Sequence, residues 1–277
     1  VIVGANAGNT GAWDTDNITA VGWSAFKNLT TSAYGTAIGY GAGLSTVGGN
    51  NHLTCVGYNA GNSSTDTQAS TFVGSNAGLY ATTGDYQTFI GAYAGHGASG
   101  GDVLTGVSNT AIGYKAGYKL IGAGTLNTFI GHSGSGSVGL SGANNSGLGY
   151  AAFGALTTGT KNTAVGDFAQ NKVTVGIKNV AYGSEALYIN VHGDENTAIG
   201  YQAGYHWKPA DGAGQNTALG AQAGRGASVD AGAGAQDYDG VGNTFVGYAA
   251  GWGNNVALEG NFNTCLGRYA GYAIQGD

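Results

Sequence analysis

The sequence predicts an all-β fold, a parallel β-solenoid of about fifteen coils of 17–18 residues each. Three observations carry that expectation. One short motif, Asn-Thr-apolar-(Ile/Val/Leu)-Gly-x-x-Ala-Gly, recurs along the whole chain. Glycine supplies 56 of 277 residues while proline occurs once, at Pro209. Charged residues make up only 9%, yet Val, Ile, Leu, Ala, Tyr and Phe return at fixed places, which a disordered chain would not do.

The repeat is clearest at 109–117 and 196–204, with further copies at 216–224, 243–251 and 263–271. Its anchoring glycines are Gly4, Gly22, Gly39, Gly57, Gly74, Gly91, Gly113, Gly131, Gly149, Gly166, Gly183, Gly200, Gly220, Gly247 and Gly267. Their spacings are 18, 17, 18, 17, 17, 22, 18, 18, 17, 17, 17, 20, 27 and 20. A helical hairpin repeat needs about 30 residues or more, and Gly, Thr and Asn are poor helix formers. Collagen would place glycine at every third position and use far more proline. One short strand plus turns fits the period. Thr36-Ala37-Ile38 and Thr88-Phe89-Ile90 are β-favouring runs, and the glycine that follows permits backbone angles or close approaches a side chain would forbid. Ile38-Gly39, Ile112-Gly113, Ile199-Gly200 and Val246-Gly247 are such structural positions. The longer spacings predict loops that bulge from the stack. Residues 1–277 read as a single repeat domain.

Two columns of the motif predict a partner. The residue two before each anchoring glycine is Ala, Phe, Cys or Ile except at Gly147, and the residue directly before is Val, Ile or Leu except at Tyr182. Neighbours in a strand point to opposite faces, so both faces are apolar and both should be buried. One face fills the coil. The other needs a second wall, most simply another copy of the chain.

The net charge of −6 offers no basic stripe for phosphates, so no nucleic acid is expected. No run of some 18 apolar residues exists, so no membrane insertion is expected. The chain opens at Val1 in mid-repeat, which reads as a piece of a longer polypeptide.

Asn109-Thr110-Ala111-Ile112-Gly113-Tyr114 resembles the Asn-Ser-x-Ala-Ile-Gly repeat of YadA-like trimeric autotransporter adhesin heads. It is closer still to the Asn-Thr-Ala-Val-Gly-Tyr-x-Ala repeats of phage and bacterial tail-fibre proteins. The resemblance covers essentially the whole chain. It departs in period, the adhesin heads repeating at roughly 14 residues, and in the long insertions. It implies left-handed parallel β-rolls in threefold bundles around a shared apolar interior. It also implies attachment or scaffolding outside the cell, on a virion tail fibre or a cell surface, rather than a reaction.

No catalytic residue, cofactor site or metal site is expected. Gly134-Ser135-Gly136-Ser137-Val138-Gly139 matches the dinucleotide fingerprint, but no βαβ unit frames it. Gly97-Ala98-Ser99-Gly100-Gly101 matches the nucleophile elbow without an α/β-hydrolase sheet to carry it. Five histidines, His52, His96, His132, His192 and His206, form no pair at metal-ligand spacing, and His132 fills a slot where other repeats carry Tyr. Cys55 and Cys265 share a column eleven coils apart, roughly 50 Å at ~4.8 Å per coil, so they are expected as buried free thiols. Asp14 with Asp16, and Asp230 with Asp237 and Asp239, read as solvated loop charge rather than a Ca²⁺ site, and the sequons at Asn17, Asn28, Asn62 and Asn144 are weak in so Asn-rich a chain. The slot after the anchoring glycine is aromatic at Trp23, Tyr40, Tyr58, Tyr114, Tyr150, Tyr201 and Tyr248, read as a stacked structural column with a sugar ladder as the alternative. The expected receptor-contact residues for a cell-surface glycan or protein lie in loops: Tyr205, His206, Trp207 and Lys208 beside Pro209, then Tyr238 in the Gly226–Gly242 loop.

An enzyme reading as a hexapeptide-repeat acyltransferase fails because aliphatic residues do not recur 12 positions on: Asn50 follows Ile38 and Gln68 follows Val56. Ice binding would use the Thr column, but only one row exists and it begins the strand expected to be buried. A self-assembling extracellular filament is the main alternative to a fibre or adhesin shaft.

Overall fold

A computed structural model describes residues 1–8, 17–30, 34–47, 52–98, 104–133, 139–207, 214–226, 240–253 and 260–272. The chain is all-β, with fifteen parallel strands forming a β-solenoid and no helix among the described residues. Contacts divide it into two compact units, Val1–Ala143 and Asn144–Asp277.

The first unit holds β1 (Ile2–Val3), β2 (Thr19–Val21), β3 (Gly35–Ile38), β4 (Leu53–Val56), β5 (Thr71–Val73), β6 (Thr88–Ile90), β7 (Thr110–Ile112) and β8 (Thr128–Ile130). The second holds β9 (Ser146–Leu148), β10 (Thr163–Val165), β11 (Val180–Tyr182), β12 (Thr197–Ile199), β13 (Thr217–Leu219), β14 (Thr244–Val246) and β15 (Thr264–Leu266). Within each unit every strand pairs in parallel with the next in the chain. The register places like on like: Thr71 on Thr88, Phe72 on Phe89, Val73 on Ile90. Loops of different length leave it intact, since Thr217 still meets Thr244 across the longest insertion.

Each strand ends at its anchoring glycine, and the backbone explains the residue. Gly39, Gly113, Gly200 and Gly247 have φ of 136°, 123°, 132° and 129°, a region closed to residues with a Cβ. They also stack closely: a Cβ on Gly39 would lie 2.4 Å from the carbonyl oxygen of Gly57.

After the glycine, tandem turns build the next wall. In the coil of β4, Ala60 donates to Gly57 O, Asn62 to Asn59 O and Ser64 to Gly61 O, with positive φ at Asn59 and Gly61. The backbone N–H groups of Asn59 and Gly61 donate to Tyr40 O and Ala77 O of the flanking coils, so this wall is also hydrogen-bonded between coils.

In several coils size is traded between two core positions. Where the inward strand residue is Phe (Phe72, Phe89, Phe245), the position four after the anchor is glycine, because a Cβ on Gly78, Gly95 or Gly251 would come within 2.6, 2.3 or 2.2 Å of that ring. Where the strand contributes only Ala20, Gly147, Ala164 or Ala181, the same position carries Phe26, Phe153, Gln170 or Leu187, all fully buried. In these coils the two positions share one volume, as close packing requires; where both are small, as at Ala198 and Gly204, another side chain (there Trp207) fills the space.

A polar column runs beside this apolar filling. From Asn109 to Asn243 the Asn of each described Asn-Thr pair is buried and its side chain links coils, whereas Asn263 in the last described coil is exposed. In the second unit, Asn162, Asn179, Asn196, Asn216 and Asn243 each donate both backbone N–H and side-chain Nδ2 to the Oδ1 of the preceding Asn, at 2.9 to 3.2 Å. The second amide hydrogen reaches a turn carbonyl, Gly176 O for Asn162 and Gly193 O for Asn179, both at 2.7 Å. In the first unit the column passes from Ser70 through Gln87 and Asn109 to Asn127. Each interior amide of the column therefore has a partner on either side.

Candidate functional site

The outward face of the strands is the first candidate. Thr and the aliphatic residue two places on share it, while the residue between them points inward. In a single chain only the inner column is dry. Ala37, Ala111 and Ala198 are 0% exposed, whereas Ile38, Ile199 and Leu219 are 41, 40 and 46% exposed and Ile112 and Val246 half-buried. The Thr column, expected to begin a buried strand, is half-exposed and lies parallel to the aliphatic row. The reason is the pleat: Thr and Ile sit two residues apart and so face the same way.

The aromatic column is also solvent-facing. Trp23, Tyr40 and Tyr58 stack in sequence, with ring centroids 4.7 and 5.3 Å apart. Tyr114 meets the exposed His132 at 5.0 Å, tilted. Tyr248 and Tyr269 meet edge to face. Stacking holds in part of the column and gives way to tilted or edge contacts elsewhere.

The loop at 205–208 corrects the sequence expectation. Trp207 is fully buried and His206 is 2% exposed, so neither side chain can touch a receptor in this fold. Trp207 is a core filler: a Cβ on Gly204 would lie 3.0 Å from its ring, and one on Gly224 would lie 2.7 Å from it. Tyr205 is half-buried and stacks on Tyr188 at 5.0 Å. Lys208, Pro209, Tyr238, Asp14, Asp16, Asp230, Asp237, Asp239, Ser99 and the 134–138 stretch lie outside the described residues.

Cys55 and Cys265 are buried free thiols, and burial pushes both thiols up from their ordinary range, so neither is a thiolate nucleophile at neutral pH. No group of three His, Cys, Asp or Glu among the described residues could hold a metal ion. No helix among them is long and apolar enough to cross a membrane. One ion pair, Lys178 to Glu195 at 2.6 Å, is solvent-exposed.

His96 stands among Tyr80, Tyr93 and Tyr118, at 5.2, 5.5 and 4.9 Å. Burial lowers its pKa, against a smaller opposing contribution from its hydrogen bond with Gly97 O. A histidine held below its unfolded value of ~6.5 binds its proton more readily when unfolded. Stability should therefore be complete above that value and fall as pH drops through it. Thermal midpoints measured from pH 8 to pH 5 should decline more in the wild type than in His96→Gln; parallel curves would contradict this.

The sequence did not reveal a third cluster, at the β15 end of the second unit. Trp252, Tyr269 and Tyr272 line an open cleft of about 340 Å³. Tyr272 meets Trp252 and Tyr269 at 5.7 Å in both cases, near right angles. Arg225 lies over Trp252 at 5.5 Å, and Arg268 over Tyr269 at 4.9 Å. These residues come from three successive repeats, so no contiguous motif marks them.

No protein-family model matches this chain, and comparison with the curated proteins finds no match.

Proposed function

We propose that this chain is a shaft segment of an extracellular structural or adhesive fibre, working as a homo-oligomer with a trimer favoured, and not an enzyme. The observation that carries the reading is the outward strand face. Ile38, Ile90, Ile130, Leu148, Ile199 and Leu219 stand 39 to 48% exposed in register, two places from half-buried threonines or, for Leu148, from the exposed Ser146. Within each unit an apolar row of this kind marks an interaction surface. Further support comes from the interior, which is filled by packing and by paired amides rather than by groups arranged for a reaction. The repeat's likeness to adhesin-head and tail-fibre sequences points to a virion or a cell surface as its place.

Native mass measurement of the purified chain tests this. A trimer that Ile199→Lys converts to folded monomers is the expected result. A monomeric wild type would overturn the oligomer reading, and open-ended polymers would favour a filament subunit. A second reading, ice binding, rests on the same face, where the Thr row expected to be buried is half-exposed beside the aliphatic row. Thermal hysteresis in the monomer would favour it, and its absence would close it.

A further inference from the structure

We infer that the Trp252–Tyr269–Tyr272 cleft is a subsite for a carboxylate-bearing sugar, an inference that rests on the adhesive reading above and gives that adhesion a place and a ligand chemistry. Arg225 and Arg268 are the only two arginines in the chain, and each lies over a ring that lines this cleft. Neither has a carboxylate partner among the described residues, and Arg225 Nε is buried without a hydrogen-bond partner. A stacked guanidinium keeps its in-plane donors for a carboxylate, which it grips with two parallel hydrogen bonds.

The walls select the rest of the ligand. Tyr269 and Tyr272 are each 42% exposed and Trp252 is half-buried, so ring surface lies open to a ligand. Aromatic faces attract either a cation or the weakly positive C–H face of a sugar. Two guanidinium charges repel a cation, which leaves a sugar that itself carries negative charge. The cleft's volume lies at the lower end of the usual range for ligand sites, about 300–1,000 Å³, which suits a short stretch of glycan. A polyphosphate chain would meet the same arginines, but the net charge of −6 opposes so dense an anion.

Calorimetric titration of the full chain tests the site. The probes are oligogalacturonate and sialyllactose, each against a neutral counterpart: the methyl-esterified oligogalacturonide and lactose. At least one acid should bind while its neutral counterpart binds weakly or not at all. Arg268→Gln should weaken binding about tenfold, and Trp252→Ala should remove it. Trp23→Ala, in the aromatic column of the other unit, should change nothing. Circular dichroism confirms that each variant is folded. The inference is overturned if neither acid binds, if the neutral forms bind equally, if Trp252→Ala leaves binding intact, or if a single-stranded oligonucleotide displaces the sugar at lower concentration. Cell attachment that persists in Trp252→Ala sinks the site but leaves the adhesive reading standing; a chain that attaches to no cell and binds no glycan sinks the adhesive part of that reading as well.

Discussion

Gly166→Ala should unfold this solenoid far more readily than an ordinary glycine substitution would. The residue has φ of 128°, and an added Cβ would lie 2.6 Å from both the carbonyl carbon and oxygen of Gly183 in the next coil. Backbone strain of that kind costs on the order of 1–3 kcal/mol, and forced overlap in a close-packed region about as much again. Neither atom it meets belongs to a side chain that could turn away. Gly267→Ala provides the contrast, since its φ of 120° is as unfavourable while nothing lies within 4 Å of the added carbon. The gap between the two variants isolates the coil-to-coil clash. Chemical denaturation at fixed protein concentration should place the Gly166 midpoint well below the Gly267 midpoint, with both below wild type. Amide exchange should rise first in the coils of β10 and β11, because each coil of a solenoid leans only on its neighbours. Equal midpoints would mean the stack spreads to admit a methyl group, and the close approach would then not explain the glycine.

The sequence made this glycine legible and left other positions obscure, and the difference is physical. Gly39, Gly113, Gly200 and Gly247 each close a β-favouring run in the same recurring motif, so their need for unusual backbone angles could be read from the letters. The same holds for strand position and register, because the period places like residues on like. The Asn of each Asn-Thr pair is just as regular, but nothing in the letters says that its side chain turns inward to hold its equivalents. The pairing of Phe72 with Gly78, and of Ala181 with Leu187, needs the knowledge that strand and turn wall share one interior volume. Trp207 shows the reverse error. It stands beside a proline in an irregular stretch and so reads as an exposed loop residue, whereas the small residues at Gly204 and Gly224 make room for it inside. The aromatic cleft was invisible because Arg225, Trp252 and Arg268 meet only once three coils are stacked.

The Asn column should be the second most sensitive feature, and Asn179 is its best probe. Its Nδ2 donates to Asn162 Oδ1 at 3.1 Å and Gly193 O at 2.7 Å, and its Oδ1 accepts from the backbone and side chain of Asn196 at 3.0 and 3.1 Å. Asn179→Ala would take the shared acceptor from both the Asn196 backbone N–H and the Asn196 Nδ2 in a buried site, while Gly193 O keeps Asn190 Nδ2 at 3.2 Å. Each unpaired group costs about 1–3 kcal/mol, so a loss of about 3 kcal/mol or more is expected. Asn179→Asp separates hydrogen bonding from shape, because it keeps the outline and the acceptor but turns the donor edge into another acceptor. Once ionised, the introduced carboxylate would face Asn162 Oδ1 and Gly193 O, oxygen against oxygen, and burial would disfavour its charge further. Both effects raise the folded pKa of that carboxyl group above the unfolded value of ~3.9. A carboxyl group raised in this way binds more protons folded than unfolded, so stability is retained below that value and lost as pH rises through the folded pKa. Relative to wild type at each pH, the Asp variant should be least impaired near pH 4 and most impaired at pH 7. The Ala variant should show the same deficit at both. If the Asp variant tracks the Ala variant across that range, the amide protons of Asn179 are not what hold the coils together there, and the column is filling space rather than bonding it.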